Sequence, residues 1–419
     1  MRRVVVTGIG TINSTGHNVK DSFKAVVDGV CGIDTITLFD ASEFSVKIAG
    51  EVKDFDPTTV MDKKEVKKAD RFIQLGIKAA LEAMIDSGYV TQEDKKVDAS
   101  IADRFGMISG SGIGGLSTIE RNSIVCETKG SRKVSPFFIP SSLANMLSGF
   151  ISIEHNLRGP SLSHVTACAA STHALNDAVK TIMIGGADRI LVVGAESAIC
   201  AAGVAGFAAM KALSTRNDEP KKSSRPFDID RDGFVMGEGA GALVVEDLEI
   251  ALARGAKIYA EIIGFGESGD ANHITSPVMD GPLRAMKAAL EMVKSITGEY
   301  PKIDYINAHG TSTPVGDKNE TAAIKALFNG KENCPLVSST KGQIGHCLGA
   351  AGAIEAIFTL KALEEGIIPP TINIDNQDPE CDLDYIANVA RKANLTTVMS
   401  NNFGFGGTNG SVIFRRYEK

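Results

Sequence analysis

Short apolar runs rich in β-branched residues alternate along the chain with longer stretches whose apolar positions recur at helical spacing. The clearest helical stretch, Ala69–Asp86, has apolar residues at positions 72, 73, 75, 77, 80, 81 and 84, which form one broad stripe. Predicted strands are Arg3–Val6, Phe105–Ser109, Arg189–Val193, Gly241–Val245, Tyr259–Ile263, Tyr305–Asn307, Leu336–Ser338 and Ser411–Phe414. Further predicted helices are Ser171–Ile184, Gly281–Ile296, Asn319–Phe328 and Ala350–Glu365. This alternation predicts an α/β protein with layered sheets.

One segment divides the chain into halves of comparable content. Residues Glu246–Lys257 lie between the strand GALVVEDL and the strand YAEII, and several strands and helices lie on either side. We therefore predict an N-terminal half, residues 1–250, and a C-terminal half, residues 251–419. No sequence repeat between the halves is visible, so periodicity alone gives a duplicated fold little support.

Composition narrows the class of protein. Of the 419 residues, 43% are hydrophobic and 23% are charged, which is typical of a globular chain. The net charge of −7 argues against a nucleic-acid binder, and no apolar run reaches the roughly 18 residues of a membrane helix. The N-terminal MRRVVVTGIG runs into a glycine turn and predicts a strand rather than a signal peptide, so we expect a cytoplasmic protein.

Cysteine usage points to one thiol. The seven cysteines form no C-x-x-C pair, which argues against a disulfide framework or a zinc cluster, and we expect no metal. Cys168, in VTACAASTHALNDAVK, follows a short apolar run and precedes a helical pattern. We expect it at a helix N-terminus, where unpaired amides and the helix dipole would lower its pKa. The same context also suits a buried structural cysteine.

Two histidines lie in polar or glycine-broken loops that follow predicted strands. His309 lies in NAHGTSTPVGDKNET, directly after a strand, and this position favours a functional role. His346 lies in SSTKGQIGHCLGAAGAIEA, between Lys341 and a helix that carries Glu355. The small residues of this second segment equally suit a tight helix–helix contact with a chance histidine.

Two glycine motifs need an interpretation. NNFGFGGTNGS could present backbone N–H groups as an oxyanion hole or act as a gate, or it could be a plain turn. GSGIGG, residues 110–115, matches the dinucleotide fingerprint G-x-G-x-x-G. However, the segment after it supplies no second strand with an acidic residue, and no G-K-[ST] follows. We therefore predict that this motif binds no nucleotide.

The chain resembles the β-ketoacyl-acyl carrier protein synthases of fatty-acid synthesis in four motifs and in their order. These motifs are TACAAS, HGTSTPVGD, KGQIGHCLGAAG and NNFGFGGTN. The resemblance runs along the whole chain and includes SPFFIP, ALSTRND, RPFDIDRDGFVMGEGAG and GDANHITSP. It is strongest to the elongating type, often called synthase II, because the chain has histidine where initiating members have asparagine. It implies a thiolase-like five-layered α-β-α-β-α fold from two similar βα halves. The implied reaction is decarboxylative condensation of malonyl-acyl carrier protein with an enzyme-bound acyl chain.

The resemblance also implies roles for single residues. Cys168 would accept the acyl group, and His309 and His346 would hydrogen-bond the malonyl thioester oxygen. Lys341 and Glu355 would form a supporting charged pair. The oxyanion hole would combine the amides of Cys168 and Phe405, and Phe405 would also be a gate. The implied substrate-binding residues are Thr311, Thr313 and Thr275 along the phosphopantetheine arm, and Ile113 and Phe207 along the acyl tunnel.

Basic residues on this acidic chain are implied to dock an acidic acyl carrier protein, although any one patch equally suits a solvated helix face. These residues are Lys67, Lys68, Arg132, Lys133 and Lys211. The family further implies a homodimer. It implies no cofactor of the enzyme's own, because the phosphopantetheine arm arrives on the carrier protein.

Other members of the same fold remain as alternatives. A synthase I-type enzyme or a polyketide ketosynthase would share every catalytic residue. A catalytically inactive partner subunit, like a chain-length factor, would lack the nucleophile that is present here. A thiolase would use a second cysteine, for which this chain has no matching motif.

Overall fold

A computed structural model of the chain describes residues 1–275 and 277–418. Its strands are β1 (Val4–Asn13), β2 (Asp34–Thr35), β3 (Ile48–Ala49), β4 (Phe105–Gly110), β5 (Ser161–His164), β6 (Arg189–Glu196), β7 (Gly239–Asp247), β8 (Ala260–Gly269), β9 (Tyr305–Asn307), β10 (Leu336–Ser338), β11 (Ile367–Ile368), β12 (Arg391–Lys392), β13 (Thr397–Gly404) and β14 (Thr408–Arg415). Its helices are α1 (Val19–Val27), α2 (Lys63–Val66), α3 (Arg71–Asp86), α4 (Ala99–Ala102), α5 (Leu116–Lys129), α6 (Phe138–Ser142), α7 (Met146–His155), α8 (Ala170–Met183), α9 (Ala201–Ala209), α10 (Leu248–Ala253), α11 (Asp280–Thr297), α12 (Pro314–Leu327), α13 (Lys341–Ile344) and α14 (Ala351–Glu365).

The main sheet repeats one strand pattern twice. Its order is β10-β9-β13-β14-β8-β1-β7-β6-β4-β5. From β1 outward, two antiparallel pairings are followed by two parallel ones. From β8 outward in the other direction, the same senses recur strand for strand. The topology therefore shows the duplication that the sequence does not.

Helices fill three layers around the two half-sheets. The central layer contains α8, which contacts β6 and β14, and α14, which contacts β7 and β13. The outer layers contain α3 against β1 and β7, and α11 against β8 and β14. The five-layered fold is thus confirmed. The boundary between residues 250 and 251 stays a prediction, because β1 and β8 also pair directly and join the half-sheets.

The apolar patterns explain where these helices lie. Helix α3 begins after Asp70, whose side chain accepts a hydrogen bond from the amide of Phe72, and it buries its apolar stripe on the sheet. Helix α14 is buried on nearly every side, as its central position requires. Glu355 lies in this helix and is fully buried, so its carboxylate needs a partner inside the protein.

The predicted elements agree with the structure best at short strands. The bounds of β9 and β10 match the prediction at both ends. Helix α12 begins at Pro314 rather than Asn319, because proline suits a first helical turn whose N–H groups have no partner in the helix. Sequence reasoning did not predict α1, α5, α7 or β13. No helix in the described ranges is both long and apolar enough to cross a bilayer.

Candidate active site

Cys168 lies between a strand and a helix, as predicted. β5 ends at His164, one 3₁₀ turn spans Ala167–Ala169, and α8 begins at the next residue. Ala167 has a φ of 49°, a left-handed conformation that costs energy for a residue with a Cβ. This tight turn directs the thiol into a cavity and leaves it 8% exposed.

The cavity brings together most of the predicted site residues. It has a volume of about 350 Å³ and is lined by Cys168, His309, His346, Phe405, Phe207, Lys211, Thr275, Thr311 and Thr313, among others. Ile113 is not part of this lining. It packs instead in the hydrophobic cluster that contains Cys168. The expectation that Ile113 lines the acyl tunnel stays a prediction, and its place in the cluster beside the thiol is compatible with that role.

The two histidines face each other at close range. Their ring centroids are 5.4 Å apart, and the rings are nearly perpendicular at 86°. The Nδ1 atom of each ring is buried and has no hydrogen-bond partner among the described residues, and both rings line the cavity. Burial, together with the positive charge of Lys341, lowers the pKa of both rings well below its ordinary value. Both imidazoles are therefore neutral at pH 7.

The Cys168 thiol does not have the lowered pKa expected from its position at a helix start. Burial raises its pKa to about 12. Lys341 and the N–H groups of Phe405 and Cys168 itself act in the opposite sense. The expectation was wrong because removal of water from around the sulfur outweighs these favourable contacts. A pKa of about 12 keeps this thiol protonated at neutral pH.

A buried hydrogen-bonded chain connects the His346 segment to the nucleophile helix. The ammonium of Lys341 pairs with one carboxylate oxygen of Glu355, as predicted. The other oxygen accepts from Asn402 Nδ2 at 2.7 Å, and Asn402 Oδ1 accepts from the Thr172 hydroxyl at 2.7 Å. Since Thr172 lies on α8, the charged pair is anchored to the helix that carries the thiol.

Glu320 supports the His309 loop and was missed by sequence reasoning. Its carboxylate accepts from the amides of His309 at 2.8 Å and Gly310 at 2.7 Å. Burial raises the pKa of Glu320 to about 7. A helical pattern would have revealed it, because Asp317, Glu320 and Thr321 share the buried face of α12 with the apolar residues. Acidic residues on a core-facing stripe need donors, and the adjacent loop supplies them.

The glycine-rich hairpin between β13 and β14 brings the Phe405 amide to the sulfur of Cys168. Gly404 allows this approach, since a Cβ there would lie 2.9 Å from the Thr166 carbonyl oxygen and 3.2 Å from the Cys168 nitrogen. The ring of Phe405 is 6.4 Å from that of Phe207 across the cavity. Two backbone N–H groups beside the sulfur are the arrangement that stabilises an oxyanion.

The residues predicted to dock the carrier protein lie in two regions, one on the surface near α6 and one at the cavity. Lys67 is exposed, and Lys68 pairs with Glu65 at 2.6 Å while its ammonium lies 5.8 Å from the Phe137 ring. Arg132 and Lys133 are exposed in the turn between α5 and α6. Lys211 lies instead at the cavity. Within residues 1–275 and 277–418, no group of three or more potential ligand side chains could hold a metal ion.

Comparison with known proteins defines the class. The N-terminal domain of β-ketoacyl synthases matches residues 1–251, and the C-terminal domain matches residues 259–375. The chain belongs to the β-ketoacyl synthase family, whose members are condensing acyltransferases. Relatives called 3-oxoacyl-[acyl-carrier-protein] synthase 2 are 51% identical in Vibrio cholerae and 50% identical in Vibrio harveyi, each over 99% of both chains.

Solved structures agree with this assignment. A β-ketoacyl synthase from Burkholderia phymatum has a TM-score of 0.91 and 35% identity, with both chains fully covered. A ketosynthase in complex with a type II polyketide acyl-carrier protein has a TM-score of 0.87 and 29% identity, again with full coverage. The alternative of an inactive partner subunit loses support, because Cys168 lies in one cavity with both histidines.

Proposed function

We propose that the protein elongates acyl chains by two carbons, condensing malonyl-acyl carrier protein with an acyl group on Cys168 and releasing CO₂ and β-ketoacyl-acyl carrier protein. The observation that carries this proposal is the shared cavity of Cys168, His309 and His346, with the amide of Phe405 at the sulfur. The names of the most similar relatives, 3-oxoacyl-[acyl-carrier-protein] synthase 2, support the same reaction.

Acyl transfer is the first half-reaction. The sulfur of Cys168 attacks the thioester carbon of the acyl carrier protein, and the amides of Cys168 and Phe405 stabilise the resulting oxyanion. The intermediate collapses by breaking the bond to the phosphopantetheine sulfur. The proton of the Cys168 thiol ends on that leaving sulfur, so the step needs no net base. This balance suits a thiol that is protonated at rest.

Decarboxylation and condensation form the second half-reaction. Loss of CO₂ from the malonyl group places negative charge on its thioester oxygen, where His309 and His346 donate from Nε2. Each donor is worth on the order of 3 kcal/mol of barrier lowering. The enolate carbon then attacks the acyl thioester, and the bond to the sulfur of Cys168 breaks. The released thiolate takes up one proton from solvent, which restores the starting enzyme.

Neutral imidazoles are needed in this scheme. A histidine with Nε2–H donates to the developing oxyanion without giving up its proton, whereas an imidazolium would protonate the enolate before it attacks. Lys341 supports the neutral state of His309 and His346, since its charge lowers the pKa of both rings. We assign Lys341 this electrostatic role, in addition to holding the loop as a pair with Glu355.

The enzyme is proposed to need no cofactor of its own, because the phosphopantetheine arm comes with the carrier protein. Thr311 and Thr313 line the cavity with their hydroxyl oxygens 3.1 Å apart, and Thr275 lies in the same lining. These hydroxyls would hydrogen-bond the amides of the arm. Phe207 and the nearby Ile113 would contact the acyl chain.

Docking of the carrier protein is proposed at the basic residues around α6, with Lys211 guiding the arm into the cavity. The solved ketosynthase in complex with its acyl-carrier protein supports a carrier partner. We expect Lys67→Glu or Arg132→Glu to raise KM for the carrier substrate about tenfold at low salt, with kcat unchanged. Lys302→Glu, a change at another exposed lysine, is the control. Equal KM values in all three variants would exclude this surface.

A homodimer is proposed through strand β5. It is the end strand of the main sheet, so one side of its backbone has no sheet partner within the described residues. Leu162 and Val165 at this edge are 47% and 57% exposed, and such an apolar edge favours association. Leu162→Glu should convert a dimer into a monomer in light scattering. A monomeric wild type would refute the assignment.

We place the enzyme in the cytoplasm because its cysteines are unpaired.

The decisive experiment separates the thiol from the rest of the site. After incubation with acyl-carrier substrate, intact-protein mass should show an acyl adduct on wild type and none on Cys168→Ala. Cys126→Ala, which removes an exposed cysteine, should acylate normally. An adduct on Cys168→Ala would contradict the proposal. Product lengths from a series of acyl substrates would then distinguish elongating, synthase I-type and polyketide enzymes.

A further inference from the structure

The glycine motif GSGIGG, residues 110–115, has no role in the proposed reaction, yet it makes a dense set of hydrogen bonds. Its polar groups converge on one carboxylate, that of Glu196 at the end of β6. Gly112 N lies 2.5 Å from this carboxylate, and Ile113 N lies 3.2 Å from it. The Ser111 hydroxyl at 3.1 Å and Gly114 N at 3.3 Å complete the set. An anion of the chain itself therefore fills the place where a nucleotide phosphate would lie in such a loop.

The same carboxylate reaches a second loop. Gly349 N donates to Glu196 at 3.0 Å, and Gly349 belongs to the turn that follows His346. A Cβ on Gly349 would lie 2.1 Å from Gly112 N, so the two loops meet at their backbones. Leu348 of this turn lines the cavity. One side chain from the N-terminal half thus holds loops from both halves of the chain together.

The charge of Glu196 is balanced by N–H and O–H donors alone. The residue is fully buried, and it forms no ion pair within the described ranges. Burial of a carboxylate is costly unless donors surround it, and the five donors of the two loops meet that need. The carboxylate lies close to the nucleophile turn, because a Cβ on Gly112 would lie 2.7 Å from Glu196 Oε2 and 3.6 Å from the carbonyl oxygen of Ala167. Burial raises the pKa of Glu196, and its negative charge raises the pKa of Cys168, opposite to the effect of Lys341.

We propose that Glu196 is a positioning residue for condensation, which clamps the two loops together and fixes the wall of the acyl site beside Cys168. Ile113 from one loop and Leu348 from the other pack in the hydrophobic cluster that contains the thiol. This inference rests on the proposed function, since the wall matters to catalysis only when Cys168 carries an acyl chain.

The first test compares Glu196→Asp and Glu196→Gln with Glu246→Gln. Glu246 is an equally buried carboxylate, bonded to Tyr89 and Arg254 away from the cavity. Aspartate keeps the charge but cannot reach both loops, so kcat for condensation should fall about 10- to 100-fold while KM for the malonyl substrate holds. Glu246→Gln should retain kcat. Wild-type kcat in both Glu196 variants, or an equal loss in the control, would overturn the proposal.

The second test follows alkylation of Cys168 by iodoacetamide across pH. Lys341 and Glu196 act on the thiol, and the neutral His309 and His346 share its cavity. The other titratable groups in the cavity lining are Lys211, Asp232, Asp270, His273 and Glu320. Glu196→Gln removes a negative charge and should accelerate alkylation, about tenfold for each unit by which the pKa falls. Glu196→Asp should keep the wild-type profile. A slower reaction in Glu196→Gln would contradict the placement of the charge.

These readouts separate the inference from the proposed function. Wild-type protein that fails to condense malonyl substrates would refute the proposed reaction. Alkylation requires no condensation, so its dependence on Glu196 would still be measured in that case. If Glu196→Gln does not fold, the aspartate variant alone tests the clamp, because it keeps the buried charge but is too short to bind both loops.

Discussion

Removing the ammonium of Lys341 should destabilise the protein and shift the pH dependence of decarboxylation together. Lys341 is 1% exposed and Glu355 is fully buried, so Lys341→Met leaves an uncompensated carboxylate in the core. Breaking such a pair costs about 3–5 kcal/mol. For a chain of 419 residues this lowers Tm by about 1 °C per kcal/mol, or about 3–5 °C. Glu355→Gln should cost a similar amount.

The double variant Lys341→Met/Glu355→Gln distinguishes coupling from simple loss of packing. It leaves no buried charge, so its stability should lie well above the value obtained by adding the two single losses. Calorimetry or circular dichroism suits the measurement, because the chain contains no tryptophan. Strict additivity of the three variants would refute the interpretation of Lys341 and Glu355 as one coupled unit.

Loss of the Lys341 charge should also shift the pH dependence of decarboxylation in a definite direction. Lys341 lowers the pKa of His309 and His346, so Lys341→Met raises both pKa values, and the acid limb of the decarboxylation rate moves to higher pH. Glu355→Gln leaves the ammonium uncompensated and should move that limb to lower pH. Shifts in the same direction would contradict the electrostatic role of the pair.

Three further predictions concern the remaining parts of the site. Gly404→Ala should lower the acyl-transfer kcat about 100-fold by displacing the hairpin from the Cys168 amide, whereas Gly206→Ala, with open space around its Cβ, should not. The raised pKa of Glu320, about 7, stabilises the fold below about pH 4.5, and this contribution is lost as pH rises through 7. Relative to Glu320→Gln, wild type should thus lose on the order of 3 kcal/mol between pH 4.5 and 7.5 in denaturation experiments. His309→Ala should still acylate in intact-mass experiments but release no labelled CO₂ from the malonyl substrate, and equal loss of both half-reactions would contradict its assigned role.

The sequence predicted local elements well because their patterns are local. The strand–turn–helix at Cys168 and the bounds of β9 and β10 follow from apolar periodicity and small residues in the chain itself. The pKa of Cys168 could not be predicted in this way, since it depends on how much water the folded cavity excludes. The family resemblance predicted that Lys341 pairs with Glu355. The link from this pair to Thr172 through Asn402 could not be predicted, because it joins residues that are far apart in the sequence.

The sequence did not predict which buried carboxylates bind backbone groups of other segments. Glu196 and Glu320 each bind backbone N–H groups of loops distant in sequence or on another element. Nothing in the immediate neighbours of Glu196 marks it, because a carboxylate at the end of a strand is usually solvated. Glu320, in contrast, could have been found from its place on the apolar face of α12. The segment after GSGIGG predicts no second strand of a dinucleotide site, and in the structure two amides of this motif already donate to the carboxylate of Glu196.

The duplicated topology has a consequence for how such a site can diversify. Cys168 follows Ala167 at the start of α8, and Gly349 follows Leu348 before the equivalent helix α14; Ala167 and Leu348 both have a left-handed φ, 49° and 45°. In an assembly of identical half-chains, any change at this turn would occur twice. In a fused chain the two copies vary independently. One copy can therefore present a nucleophile, while the other becomes the glycine that admits a neighbouring backbone.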